Sequence, residues 1–518
     1  MDQLTKLLYC GCTLALAGCG DDAGYAEVPS GSRSVVQGGR QDIGEFRSIV
    51  ASGKVPELSV LEETGFFAEH QIDLPAADCG ASICAHPMLA VAPRFDAGNW
   101  TMAFVGMNTA VDPSTLPAKP RHLVLMLGSD TGTVSQILDS IEKALTPQDR
   151  VSLISARGLE TPQQGIPPDQ LTATLVGYTY SKPAVSLYSA LSGALELVKG
   201  TDFADYTTRV LLFPASFPES GLGEAQYVDL ALEFAHHDTP ISVFRELSSS
   251  SRTTTPTTGT TTTPATASSA IEVALADNTS GNYYSADKGT DLTQAVAAEA
   301  QTGFAPLARN LSLTLTAAPG YRIAGVYGAP SARVEGEKAV LTSPVSYVGA
   351  RGASVDMPSG RRGGGGGWFV QLLADGPATG IPYSPADAFR LDFGYDDPVS
   401  GARVSSTQQL QTPLGVGQNP PPTQPYFSDA ARGKPFMMLN MYFALFTATR
   451  FANQNECGAA RAIEPMMRDA WKTFSQIFPD ADINADFHLL TALTANIEKT
   501  CREPVPRVID VPFSCGYL

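Results

Sequence analysis

Arg121-His122-Leu123-Val124-Leu125-Met126-Leu127-Gly128 is the stretch on which the reading of this chain turns. Leu123 to Leu127 is an unbroken apolar run, which suits a parallel strand covered on both faces better than a half-exposed one. Downstream, Ile137, Leu138, Ile141 and Leu145 recur at helical spacing on one face. The strand Val151-Ser152-Leu153-Ile154, a helix over Ser186 to Val198, and the strand Arg209-Val210-Leu211-Leu212-Phe213 come next. A helix from Ala225 to Ala235 and the strand Ile241-Ser242-Val243-Phe244 continue the series. Such strand–helix alternation predicts a doubly wound, mostly parallel α/β sheet over 118–303, with ligand chemistry at the carboxyl ends of its strands.

Moving outward, the low-complexity segment 248–269 holds ten Thr among the fourteen residues Thr253 to Thr266. A segment so composed builds no core and is expected to be a disordered surface loop. Helices are expected again at Ala270 to Ala276 and Asp291 to Ala300. Leu311, Leu313 and Leu315 then alternate with Ser312, Thr314 and Thr316, a period of two. With the runs Arg322 to Tyr327, Trp368 to Leu373 and Ala388 to Tyr395, this predicts an antiparallel, β-sandwich-like unit over 304–415. A helical region, 416–518, comes last, with helices at Pro435 to Phe451, Pro465 to Ile477 and Asn484 to Thr500. The final two should form an antiparallel hairpin. On the N-terminal side, 46–117 reads as a β-rich module with strands near Leu89 to Ala92 and Trp100 to Val105. The segments Phe46 to Val111 and Phe304 to Thr412 are expected to complete one β-sandwich around the α/β unit, since chain ends of compact domains often lie close together.

Composition bounds the function. The chain has 518 residues, 43% of them hydrophobic, with 35 Lys plus Arg against 52 Asp plus Glu and a net charge of -17. A surface that acidic repels phosphate backbones, so nucleic acid is not an expected partner. Leu7 to Gly18 is apolar but too short to span a bilayer, and it ends in Leu16-Ala17-Gly18-Cys19. That tetrapeptide resembles the lipobox of bacterial lipoproteins, which makes 1–18 a signal peptide, Cys19 the lipid-attachment residue and 19–45 a flexible tether. Gly20 in place of an Asp after Cys19 leans toward the outer membrane.

Export agrees with the cysteines. Cys79, Cys84, Cys457, Cys501 and Cys515 lie beyond Cys19, enough for two bridges and a remainder. Cys79 and Cys84 read as local partners. His70, Cys79, Cys84 and His86 are an alternative zinc set, at an irregular spacing. Cys457 and Cys501 fall at the same end of the helical hairpin, which favours their pairing, with Cys515 as a competitor. Closing that loop contributes about 4 kcal/mol in the chain-entropy model.

Several stretches together resemble bacterial cell-envelope lipoproteins carrying a von Willebrand factor A (VWA) domain. They are Phe46-Arg47-Ser48-Ile49-Val50-Ala51-Ser52-Gly53-Lys54-Val55-Pro56 with Gly65-Phe66-Phe67, then Thr146-Pro147-Gln148-Asp149-Arg150-Val151, then Leu275-Ala276-Asp277 with Gly281-Asn282-Tyr283-Tyr284. The resemblance implies a VWA-like fold and a divalent-cation site at the strand ends, built from Asp-x-Ser-x-Ser, a Thr and an Asp. Those positions are here Gly128, Asp130 and Gly132, then Val185, then Ala215. Mg2+ needs near-octahedral oxygen coordination, so the site reads as metal-dead. A frame shifted onto Ser129, Asp130 and Thr131 is the metal-dependent alternative.

Other constellations read as structural. Asp480, Asp482, Asn484 and Asp486 resemble the start of a calcium loop, but Ala485 and Thr491 stand at the Gly and Glu positions, leaving a polar turn with Asn484 as helix cap. His236-His237-Asp238 closes a helix. Arg361 to Gly367 reads as a hairpin tip, and Phe436 to Phe443 as a helix in the core. No Gly-x-Ser-x-Gly, His-Glu-x-x-His or P-loop motif occurs. The expected function is therefore a non-enzymatic, lipid-anchored envelope protein that uses a metal-dead VWA-like domain for protein interaction or adhesion, with no cofactor and an unidentified protein partner. A metal-dependent adhesin and an exported hydrolase are the alternatives.

Overall fold

The computed structural model describes residues 33–506 and 509, apart from 97–98, 113–114, 117–118, 129–131, 157–162, 177–183, 215–216, 219, 248–264, 287–288, 303–305, 320, 330, 350–366, 375–388 and 411–429. The first stretch contributes β1 (Arg33–Val36), β2 (Gly39–Arg40), α1 (Gly44–Ala51), α2 (Glu63–Ala68), β3 (Cys84–Pro93) and β4 (Asn99–Thr109). An α/β unit comes next: β5 (Arg121–Leu127), α3 (Gly132–Ala144), β6 (Arg150–Ser155), β7 (Gln163–Ile166), α4 (Leu171–Val176), α5 (Leu187–Lys199), β8 (Thr207–Phe213), α6 (Glu224–His236), β9 (Ile241–Glu246), α7 (Ala265–Thr279), β10 (Asn282–Ala286) and α8 (Gly289–Thr302). The chain ends in β11 (Pro306–Ala317), β12 (Tyr321–Tyr327), β13 (Arg333–Glu335), β14 (Lys338–Val348), β15 (Trp368–Ala374), β16 (Phe389–Asp396), β17 (Arg403–Leu410), α9 (Ala430–Asn453), α10 (Cys457–Ile477) and α11 (Ala481–Thr500).

The α/β sheet has the order β2-β10-β9-β8-β5-β6-β7. The apolar run Leu123 to Leu127 lies at its centre, between β6 and β8, parallel to both. Its side chains divide by the strand's two-residue period. Leu123, Leu125 and Leu127 join α3 and α8 in one core, while Val124 and Met126 join α5, α6 and α7 in the other. At roughly 1.5–3 kcal/mol per fully buried aliphatic side chain, this strand alone anchors both layers. The sheet is mixed at one end, because β7 pairs antiparallel with β6. Gln163-Gln164-Gly165-Ile166 carries no apolar alternation, so nothing in the sequence marked it as a strand.

The flanking segments do pair across the α/β unit. β15 runs antiparallel to β4, with Phe104 opposite Phe369 and Met102 opposite Gln371. One layer is β12-β15-β4 with β3 on β4's other edge, and the second is β14-β11-β16-β17 with β13 on β14. Leu313, Leu341 and Leu391 of the second layer pack against Ala103, Val105, Trp368 and Val370 of the first. The outer face of the first layer is buried too: Met102, Phe104 and Phe369 pack on α2, α9 and their neighbours. Phe67, Phe104 and Phe369 form an aromatic chain with centroids 5.0 and 4.9 Å apart.

The expected tether over 19–45 is corrected from Arg33 onward, and residues 19–32 lie outside the described residues. Arg33 and Ser34 pair with β4, Val35 and Val36 with β14, so β1 turns the corner between the two sandwich layers. Gly38 and Gly39, at φ +87° and +91°, then swing the chain into the α/β sheet beside β10. A Cβ on Gly38 would stand 2.8 Å from Ser280 Cα, so the crossing admits no side chain there. Asp42 fastens it by accepting hydrogen bonds from Ser285 Oγ (2.6 Å) and Ser285 N (3.1 Å). Arg209 of β8 forms a buried ion pair with Glu299 of α8. Its guanidinium also lies 4.9 Å from the ring centroid of Tyr347 in the sandwich.

Three further expectations shift. α7 begins at Ala265, inside the segment 248–269 expected to be disordered, while 248–264 lie outside the described residues. α10 starts at Cys457 and holds Pro465 in its interior, because packing overrides the tendency of Pro to open a helix. The cap of α11 is Asp480, not Asn484: Asp480 has the extended backbone of a cap and accepts from Ile483 N at 3.0 Å. Disulfides join Cys79 to Cys84 and Cys457 to Cys501, the latter across the open end of the hairpin, with Cα atoms 5.7 Å apart. Cys515 lies outside the described residues.

Candidate functional site

The carboxyl ends of the central strands are stitched together by backbone hydrogen bonds. Gly128 N–H donates to Phe213 O at 2.8 Å, Ala156 N–H to Leu127 O at 3.0 Å, and Val185 N–H to Ala156 O at 2.7 Å. One crest thus carries the ends of β5, β6 and β8 and the approach to α5. Two of the positions implicated by sequence, Gly128 and Val185, lie on it. Gly132 begins α3, whereas Asp130 and Ala215 lie outside the described residues. Gly128 and Val185 supply no carboxylate: glycine has no side chain and valine's offers only methyl groups. Ser186, next to Val185, spends its Oγ capping α5 by accepting from Ser189 N.

Below the crest, a groove of about 550 Å3 runs along α5 beside β6 and β7. Its volume falls in the range of ordinary ligand clefts. It exists because α5, α6 and α7 cover this face of the sheet from β5 to β10, while α4 packs on α3 across the sheet. Among the described residues, no helix beyond α5 covers the β6–β7 end on this side. Val185, Ser189 and Ala190 form its upper wall, and Gln164, Glu196 and Asp202 supply polar atoms farther down. Apart from Val185, sequence reading missed these residues, since they come from separate elements with no motif spacing.

The buried titratable groups nearby are structural. His122 of β5 is fully buried between Ser152 Oγ (2.8 Å) and Thr208 Oγ1 (3.3 Å), and Phe203 stacks on its ring at 3.7 Å. Burial lowers its pKa to about 4, so the imidazole is neutral. At the joint with the N-terminal helices, Asp277 of α7 is pushed up to about 8 by burial and by Glu62. Glu63 is raised to about 8 by burial and by Glu62, against a hydrogen bond from Gly328 N–H.

The remaining sequence candidates are dispersed. Cys79 and Cys84 are consumed by their disulfide. His86 Nε2 lies 2.7 Å from Asn108 Oδ1, and His70 Nε2 2.9 Å from Asp486 Oδ2, so the alternative zinc set does not assemble. Asp480 and Asp482 both pair with Lys434, at 2.8 and 2.9 Å. Asn484 accepts from Trp471 Nε1, and Asp486 pairs with Arg47 at 3.0 Å. Their side chains diverge rather than enclose an ion. Arg47 also pairs with Glu69, making a buried network that staples α1 to α11. His237 ends α6, and the adjacent Asp238 pairs with Arg309 at 3.2 Å. Residues 361–366 and Cys19 lie outside the described residues. Among the described residues, no group of three or more His, Cys, Asp or Glu side chains could hold a metal ion. No described helix is long and apolar enough to cross a membrane.

No protein-family model matches the chain, and no curated protein matches it. Among solved structures, it is similar in shape to a von Willebrand factor type A protein from Catenulispora acidiphila, at 10% identity and a TM-score of 0.46, over 80% of this chain and 96% of that one. A second likeness is to the ArnB paralog VWA2 from Sulfolobus acidocaldarius, at 12% identity and a TM-score of 0.41, over 81% and 98%. A third is to the pilus adhesin SpaC from Lactobacillus rhamnosus GG, at 10% identity and a TM-score of 0.27, over 64% and 48%.

Proposed function

We propose that this chain is a lipid-anchored protein of the bacterial cell envelope whose VWA-like α/β unit binds a protein partner without a bridging cation. The observation that carries the reading is the crest: Gly128 and Val185, the positions to which the resemblance assigns cation ligands, lie on it, and neither has an oxygen-bearing side chain. Contact with the partner then rests on shape and on protein side chains, with no chemistry performed on it. Cys19 holds the protein to the membrane, with the outer membrane as its destination.

Thermal unfolding tests the cation-free reading. A ligand that binds only the native state adds RT ln(1 + [L]/Kd), about 2.7 kcal/mol at a hundredfold excess over Kd. The melting temperature should not move with millimolar Mg2+, Mn2+ or EDTA, and cross-linked partner capture from native membranes should survive EDTA. A metal-dependent rise abolished by Asp130→Ala would replace this reading with the shifted-site alternative. Anchoring is tested separately: Cys19→Ser should release the protein from membranes or stall its processing. Normal processing with full membrane retention would refute it.

A further inference from the structure

The groove beside α5 differs from an ordinary surface dent in its length, its chemistry and its unpaired polar groups. α5 has 13 residues, so the wall is about 20 Å long, the span of about six extended residues. Ile154 of β6 and Phe203 give it an apolar floor. Glu196 and Asp202 stand exposed at one end, and among the described residues no Lys, Arg or His lines the groove. Lys199, the basic residue nearest in sequence, is turned away to Glu233 of α6 at 3.1 Å. Among the described residues, the carboxylates of Glu196 and Asp202 and the amide of Gln164 have no hydrogen-bond or ion-pair partner. Gly193 lies in the middle of α5 facing this space, and a Cβ built on it meets nothing within 4 Å. Glycine destabilises a helix interior relative to alanine, and no packed neighbour accounts for it here.

We infer that this groove is the docking site for an extended segment of a partner protein that presents a Lys or Arg side chain beside apolar ones. The inference rests on the protein-binding reading above and names the chemistry of the partner. The basic side chain meets Glu196 and Asp202, its apolar neighbours lie on Ile154 and Phe203, and the Gln164 amide faces the peptide backbone. The two carboxylates are solvent-exposed, so they select the partner's charge and speed its approach more than they add affinity. Affinity comes from the apolar floor.

The test uses the full chain in detergent and fluorescence anisotropy with two labelled ten-residue peptides, one alternating Lys with Val and one alternating Glu with Val. The Lys–Val peptide should bind at least tenfold more tightly. Gly193→Leu should abolish that binding while leaving the melting temperature unchanged or raised, since it fills open space and favours the helix. Glu196→Lys combined with Asp202→Lys should weaken binding at least tenfold, and added salt should weaken it in the parent protein. Equal binding of both peptides, undiminished binding by Gly193→Leu, or displacement by spermidine at concentrations comparable to the peptide would each overturn the inference. The readout involves neither membrane nor metal. It can therefore fail while EDTA-resistant partner capture stands, and succeed where that capture fails.

Discussion

β4 and β5 carry the same kind of sequence and end in opposite kinds of sheet. Both contain a continuous apolar run, Met102 to Met107 in β4 and Leu123 to Leu127 in β5, and almost every described residue of each is buried. β5 lies between parallel neighbours and is covered by helices on both faces. β4 lies between antiparallel neighbours, with a second sheet on one face and helices on the other. An unbroken apolar run therefore reports two-sided burial and says nothing about strand direction. Direction is set by the connections on either side of the strand. β5 is succeeded by amphipathic helices long enough for crossovers, whereas β4 follows its antiparallel partner β3 after a few residues and finds its other, β15, more than 250 residues later.

The comparison is broken most forcefully at Phe104 and Leu125, each fully buried at the middle of its strand. Phe104→Ala should cost about 3–5 kcal/mol and Leu125→Ala about 2–5 kcal/mol, measured from urea midpoints. Hydrogen exchange should separate them: Phe104→Ala loosens amides of β15 and α9, Leu125→Ala those of β6 and β8. If either variant loosened both regions equally, the two cores would be one cooperative unit.

A somewhat smaller effect is expected from the helical hairpin. Replacing Cys457 and Cys501 with Ser should cost up to about 4 kcal/mol by the loop-entropy argument. The loss should fall on α10 and α11, with protection of β5 unchanged. Replacing Cys79 and Cys84, which close a far shorter loop, should cost less.

The smallest effect sharpens the comparison at the joint between the two regions. Asp277 and Glu63 have folded-state pKa values raised to about 8, chiefly by burial and then by Glu62. The folded state therefore holds protons that the unfolded state has released. Their contribution is full below about pH 4, declines as pH rises toward 8, and is level above it. The charged groups facing them at the joint are Glu62, which raises both, and Arg40, which opposes the shift of Asp277. The melting temperature should fall by a few degrees between pH 5 and pH 8.5. Asp277→Asn with Glu63→Gln should flatten the profile, and an unchanged slope in that double variant would show that other groups set it.

Much of this fold was legible because its signals are local. The runs at β5, β8 and β9 and the two-residue period of β11 each declare their burial within a few residues. The features that stayed hidden depend on distant partners. Arg33-Ser34-Val35-Val36 looks like tether and is a strand only because β4 and β14 offer free edges. Pro465 looks like a helix start and is instead an interior residue held by packing. At the candidate site, Gly128 and Val185 are reached through the resemblance to the VWA motif, aligned on the apolar run of β5 and the helix that became α5. The groove could not be reached so, because Gln164, Glu196 and Asp202 meet only once the sheet has formed.

The crossing at residues 33–40 has a mechanical consequence. Any load applied upstream of Arg33 reaches β1 before any other described part of the molecule, and β1 is only four residues long. Half of it grips one sandwich layer and half the other, and the next few residues fasten the α/β sheet. Tension would be shared among three sheets at a single seam. Peeling that seam would remove one tie between the α/β unit and the sandwich and leave those that Arg209 makes with Tyr347 and Asp238 with Arg309 to carry the load.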